Sequence, residues 1–196
     1  MNELDFTRGT RDYLRAADLL KAAPLSADLL KFEMRFLKPG HHAGAWLLLS
    51  SSEIPENSLA RLIIRRPHRS ETWIFFPNTT VRKLKRIEDL DEDEIVAPGQ
   101  LLNGRYQAVL TNRAEFWDQL IAQIRMGGEQ VKPGRRWYVA SITVVRWPLP
   151  QELYSHLLSI SIQRERGIFL NLTVNLDDKP FGNVLLREIE GGSERV

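Results

Sequence analysis

The sequence predicts an α+β fold: a strongly curved antiparallel sheet of about nine strands with an N-terminal helix and one mid-chain helix. Three observations predict it. Apolar and polar residues alternate at Leu30–Phe36, Leu158–Ile162 and Ile168–Leu176, the period of a half-buried strand. Phe116, Leu120 and Ile124 recur at helical spacing beside Trp117 and Ile121. The connections between strands are short and hairpin-like, which joins antiparallel neighbours. A sheet this wide curls into a half-barrel or divides into two layers.

The first helix rests on Thr10 as a cap and on Tyr13, Leu14, Ala17 and Leu20. Pro24 ends it, because the residue before a proline is biased away from helix. Leu30, Phe32, Met34 and Phe36 then alternate with Lys31, Glu33 and Arg35, and Pro39-Gly40 supplies a turn. "GAWLLLSSS" reads as the hairpin partner of that strand, "SLARLIIRR" as a third strand and "ETWIFFP" as a fourth. "TTVRKLKRI" is assigned to a strand on its β-branched start, and "GRYQAVL" to another.

"NRAEFWDQLIAQIRMGG" is the mid-chain helix. Asn112 and Glu115 stand at capping-box spacing, and Gly127 is its expected stop. "RRWYVASITVVRW" is a long strand closed by Pro148 and Pro150, and three strands follow with "RERG" and "DDKP" as turns. No internal repeat or linker is visible. Residues 1–196 are therefore expected to form a single domain, with 191–196 a frayed tail.

Hydrophobic residues make up 43% of the chain and charged residues 27%, enough for a full core without staples. Cysteine is absent, which excludes disulfides, thiolate nucleophiles, thiolate zinc sites and iron–sulfur clusters. The formal net charge is +2 although the pI is near 9.0, too weak a field for a dedicated nucleic-acid binder. No apolar run has the length of a signal core or a membrane span. A cytoplasmic location is expected, or a periplasmic one if a leader has been removed.

There is no glycine-rich phosphate loop, no GxGxxG and no GxSxG elbow. His41 and His42 follow a turn and could join a remote carboxylate on a metal, but a solvated turn is the expectation. Asp89, Asp91 and Asp93 match the first positions of a calcium loop, yet Glu94 and Gln100 stand where that loop needs glycine and glutamate. No metal and no cofactor are expected.

The basic patch comprises Arg65, Arg66 and Arg69 with His68, then Arg82, Lys83, Lys85 and Arg86. Arg135 and Arg136 form a further cluster beside Trp137. Aromatic residues among cations suit single-stranded nucleic acid. The acidic run Glu88, Asp89, Asp91, Glu92, Asp93 and Glu94 offsets the second group, so no specific nucleic-acid binding is expected.

Trp73, Ile74, Phe75, Phe76 and Pro77, followed by Val81, Arg82 and Lys83, carry a family resemblance. Over residues 61–87 the chain resembles the LolA-like, outer-membrane lipoprotein-sorting superfamily. The resemblance implies a curved half-barrel with helices in its concave face and an acyl chain or other apolar ligand held there. The candidate lining residues are Trp46, Trp73, Phe75, Phe116, Trp117 and Trp137. The expected function is a non-enzymatic binding or accessory protein. The alternatives are a protein-interaction scaffold or subunit, an enzyme using sheet-borne carboxylates or histidines, and a single-stranded nucleic-acid binder. Expected partners are an apolar small molecule or lipid and a protein partner, and exposed strand edges allow a homodimer.

Overall fold

A computed structural model of the chain describes residues 3–8, 14–26, 28–38, 43–51, 53–78, 85–88, 92–111, 113–145 and 156–189. The alternating and helical segments together form the expected α+β architecture, a large curved antiparallel sheet with two principal helices.

The first half contains β1 (Glu3–Leu4), β2 (Phe6–Arg8), α1 (Ala16–Ala22), β3 (Lys31–Phe36), β4 (Gly44–Leu48), β5 (Ala60–Arg65) and β6 (Ser70–Pro77). After β7 (Lys85–Ile87) and the short α2 (Glu92–Ile95), the second half contains β8 (Gln100–Leu102), β9 (Arg105–Val109), α3 (Phe116–Val131), β10 (Trp137–Val144), β11 (Leu157–Arg166), β12 (Phe169–Leu176) and β13 (Lys179–Glu188). Among the described residues the main sheet has 11 strands in the order β1-β4-β6-β5-β3-β10-β13-β12-β11-β9-β8. A separate pair joins β2 and β7 in parallel.

This order contains a repeat that residue identities conceal. Each half begins with a strand (β1 or β9), passes through a helix (α1 or α3), and places the next strand (β3 or β10) at the centre of the sheet. The starting strand then pairs with the second strand after the helix, β1 with β4 and β9 with β11. The halves differ in whether the third or the fourth strand after the helix lies beside the central one, and in β8, which adds an edge strand outside β9. They join through β3 and β10, where Met34 faces Ile142 and Phe32 faces Val144 across the ladder. These four are buried, while Lys31, Glu33 and Arg35 take the other face of the pleat.

Three sequence expectations change here. β4 is not the hairpin partner of β3, because β3 pairs with β5 and β10 while β4 pairs with β1 and β6. The strand that follows β4 enters beside β3, and this buries Leu62 and Ile64 with Phe32 and Met34.

Gly127 does not stop α3, which continues to Val131 and ends before Pro133 and Gly134. A Cβ at Gly127 would stand 2.9 Å from Cδ1 of Tyr106, and one at Gly128 would stand 2.8 Å from Cδ1 of Leu186 and 3.2 Å from Cδ1 of Trp137. The two glycines let the helix backbone lie directly on β9, β10 and β13.

α1 is shorter than expected: it begins after Arg15, and Thr10 and Tyr13 lie outside the described residues. Asn112 also lies outside them, and Glu115 caps α3 without a side-chain hydrogen bond.

Candidate functional site

The two helices begin alike and meet. Asp18 is the third residue of α1, and Asp118 is the third residue of α3. Acidic side chains suit this position, since the first turn of a helix presents unpaired N–H groups. α1 packs against α3, so both carboxylates lie in one seam.

Lys21 Nζ donates to Asp118 Oδ2 at 3.0 Å and stands 3.5 Å from Asp18 Oδ1. It is also 3.7 Å from Glu115 Oε2, which is exposed. Arg15 Nη2 lies 3.5 Å from Asp118 Oδ1. Arg15, Asp18 and Asp118 are only 6%, 1% and 2% exposed, so their charges depend on one another rather than on water. The Arg15–Asp118 contact is an ion pair without hydrogen-bond alignment, and neither Nη1 nor Nη2 of Arg15 hydrogen-bonds among the described residues. Lys21 is the partly open member of the seam.

Beside the charges lies an aromatic group. Phe116 meets Trp117 at 4.9 Å and Phe181 at 5.8 Å between ring centroids, both edge-on. Trp117 meets Phe32 at 6.0 Å. Phe116 is half-buried and the others are buried.

Of the six residues expected to line a ligand, Phe116 and Trp117 lie at this seam. Trp46 and Phe75 pack edge-on in the core of the first half, with Trp46 Nε1 donating to the Leu19 carbonyl at 3.2 Å. Trp137 is buried beneath Gly128, and half-buried Trp73 donates from Nε1 to Glu71 Oε2 at 3.2 Å. The residues that composition and periodicity missed are Arg15, Asp18, Lys21 and Asp118. For Asp118 the available signal was "FWDQLIAQI", where polar side chains interrupt a helix apolar on most of its circumference, the mark of a fully buried helix; Arg15, Asp18 and Lys21 carried no such signal.

A second polar group closes the other side of α3. Tyr106 donates its hydroxyl to Gln123 Oε1 at 2.5 Å, and Gln123 Nε2 donates to the Ala97 carbonyl at 2.8 Å. Gln119 Nε2 donates to the carbonyls of Thr111 and Ala114 at 2.5 and 2.7 Å, while its Oε1 accepts from Thr111 N at 2.7 Å. Ile95 and Val96 pack on Ala122 beneath this strap. Both glutamine amides donate to backbone carbonyls and their oxygens are occupied by Thr111 and Tyr106, which assigns them to holding the strap rather than to chemistry. Burial pushes the Tyr106 phenol above its ordinary range.

The basic residues at the β5–β6 turn line an open cleft of about 580 Å³ with Leu30, Lys31 and Val145. Arg66 is fixed there: Nε and Nη2 donate to the two oxygens of Glu71 at 3.2 and 3.3 Å, and Nη1 donates to Ser26 Oγ at 2.6 Å and to Asp28. The Arg66 fork holds the Glu71 carboxyl below the usual carboxylate range. Arg82 and Lys83 lie outside the described residues, and Lys85 and Arg86 are described only as backbone of β7. His41, His42, Asp89 and Asp91 lie outside them as well. Among the described residues no group of three or more histidines and carboxylates is placed to hold a metal ion. No described helix is long and apolar enough to cross a membrane.

No family model and no curated protein matches the chain. Solved structures do. A putative oleoyl thioesterase from Lactobacillus plantarum is 9% identical and aligns over 97% of this chain and 96% of its own, with a TM-score of 0.50. An isomerase-inactive variant of GphF DH1 is 8% identical over 95% of this chain and 87% of its own, also at 0.50. A conserved protein of unknown function with hot dog fold from Alicyclobacillus acidocaldarius is 9% identical over 90% and 86%, at 0.41.

The chain shares the overall fold of the first two. The LolA-like expectation is thereby overturned: the likeness spans almost the whole chain, and no lipoprotein-sorting structure is among the matches. An aromatic strand, a proline and a basic segment are a local pattern. Here Trp73–Pro77 belong to β6, an interior strand of the first half of a two-part sheet, and Val81, Arg82 and Lys83 lie outside the described residues.

Proposed function

We propose that the chain is a single-domain protein that binds an acyl group at the α1–α3 seam, with its carbonyl or carboxylate oxygen on Arg15 and Lys21. The observation that carries this reading is Arg15. It is a buried guanidinium whose terminal nitrogens make no hydrogen bond among the described residues. Buried donors ordinarily have a partner, and one left without is a cost unless something else supplies an acceptor. An acyl oxygen supplies it, while half-buried Phe116, backed by Trp117 and Phe181, offers an apolar wall for the chain attached to it. The likeness in fold to a protein described as a putative oleoyl thioesterase supports the same ligand class.

Binding rather than turnover is favoured by the state of the carboxylates. Asp118 faces two cations and Asp18 shares one of them, so neither stands open to activate water. The alternative, hydrolysis of an acyl thioester, is supported by the pairing of two carboxylates at one seam.

Titration with octanoate and with octanoyl thioester, with thiol release followed in parallel, tests both. Saturable binding weakened about tenfold by Arg15→Leu or Lys21→Met, without accelerated thiol release, supports the binder. Thiol release lost in Asp118→Asn supports the hydrolase instead. No binding of either probe removes the acyl reading and leaves the protein-interaction alternative.

A further inference from the structure

The cleft at the β5–β6 turn holds two cations that no carboxylate among the described residues answers. Lys31 on β3 and Arg65 on β5 are directly opposite each other in the ladder. Like charges at opposed positions repel and destabilise a sheet. Elsewhere in the cleft each cation is answered: Arg66 is held by Glu71 and Asp28, and Arg69 Nη2 lies 2.7 Å from Glu71 Oε1. Among the described residues neither Lys31 nor Arg65 has a carboxylate within ion-pair distance. Glu71 cannot serve them as well, since it already accepts from Arg66 twice, from Arg69 and from Trp73.

Flanking the pair are Leu30 and Val145, apolar side chains left 54% and 46% exposed on the cleft wall. Arg35 and Arg61 oppose each other farther along the same ladder, but Arg35 is answered by Glu33 and neither lines this cleft. What sets Lys31 and Arg65 apart is an unanswered pair on a cleft with exposed apolar walls. The missing component is an anion, and the apolar flanks fit an alkyl group attached to it. Arg66 is locked by its carboxylates and gives the cleft a rigid wall, so the ordering cost falls on Lys31 and Arg65 alone.

We propose that Lys31 and Arg65 bind a phosphate monoester carried on an alkyl group, with the alkyl portion against Leu30 and Val145. Two cations on one dianion replace their mutual repulsion with charge-assisted hydrogen bonds, and arginine adds a bidentate geometry. The site shares no residue with the α1–α3 seam, and the proposal does not rest on the acyl reading.

The test is calorimetric titration of the full chain with hexyl phosphate at low ionic strength. Saturable binding is expected, weakened about tenfold or more in Lys31→Ala and in Arg65→Ala. Lys31→Glu separates the site from the fold: it creates an opposite-charge pair with Arg65, so it melts no lower than the parent while losing the ligand.

Two sources of the ligand are distinguished by vesicles containing phosphatidic acid. Retention on them, lost in Lys31→Glu, assigns a lipid headgroup; hexyl phosphate binding without retention assigns a soluble ester. The proposal is overturned if hexyl phosphate does not bind, or if both alanine variants bind it normally. It is also overturned if inorganic phosphate binds as tightly as hexyl phosphate, since the apolar flanks then contribute nothing. Tighter binding of a single-stranded oligonucleotide, with the same sensitivity to Lys31 and Arg65, overturns it in favour of nucleic acid.

Discussion

Asp18 and Asp118 occupy the same place in the two halves of the chain, third in their helices, and Lys21 reaches both of them. The seam between the halves is therefore charged at its centre. A buried network of this kind is costly to open on one side only. Asp118→Ala leaves Arg15 uncompensated and is expected to lower stability by about 3–5 kcal/mol in urea unfolding. Arg15→Met combined with Asp118→Leu should cost much less than the two single changes added together. A loss below about 1 kcal/mol for Asp118→Ala would show that the pair is solvated.

Gly127 tests the packing of α3. Alanine at this position gains about 1 kcal/mol of helix propensity. Its Cβ would also press on the Tyr106 ring at 2.9 Å, and that ring is tethered through its hydroxyl to Gln123. Overpacking costs about 1–3 kcal/mol, so Gly127→Ala is expected to destabilise on balance. Gly128→Ala should be milder, because its closest contact is the end of the Leu186 side chain. A higher melting temperature for Gly127→Ala would contradict this packing.

The Tyr106–Gln123 bond gives an alkaline signature. Burial raises the phenol's folded value above its unfolded value of about 10. The unfolded chain then loses its proton first as pH rises, so stability is intact below that value and declines above it. Tyr106→Phe should flatten the alkaline limb of a stability profile. It also leaves Gln123 Oε1 without its donor, at a cost of about 1–3 kcal/mol near neutral pH. Hydrogen exchange should quicken over residues 92–99, the segment that Gln123 holds through Ala97.

The acid limb has a different origin. Asp177, in the turn between β12 and β13, accepts from His156 and from the Leu157 N–H at 2.8 Å, and these bonds hold its carboxyl below the ordinary range. Its folded value is depressed, so its contribution is complete above the unfolded value of about 3.9 and is lost as pH falls through the folded one. Asp177→Asn should reduce the steepness of acid unfolding and leave the alkaline limb unchanged. Asparagine tolerates the positive φ of 48° at this turn, which removes backbone strain as a competing cause.

How much of this was legible depended on the range of the interaction. The stripe Phe116, Leu120 and Ile124 announced α3, and the alternation at Ile168–Leu176 announced β12, because both patterns are complete within one segment. The "DDKP" turn was legible for the same reason, with Asp177 and Asp178 both at positive φ. Gly127 was misread because a glycine near a helix end has two uses, as a stop and as a close contact. Only the ring of Tyr106 above it tells them apart.

By itself the sequence determined the kinds of elements, the absence of all cysteine chemistry, and the faces that strands and helices would bury. Those properties follow from side-chain type and a period of two or 3.6 residues. Tertiary structure decided which strands became neighbours, and with that everything at the two sites. Nothing local to "GAWLLL" says that β5 will insert between β3 and β6. Nothing local to α1 says that Lys21 will meet an aspartate 97 residues away. Partner choice is settled by burial summed over the whole sheet, a quantity that no single segment contains.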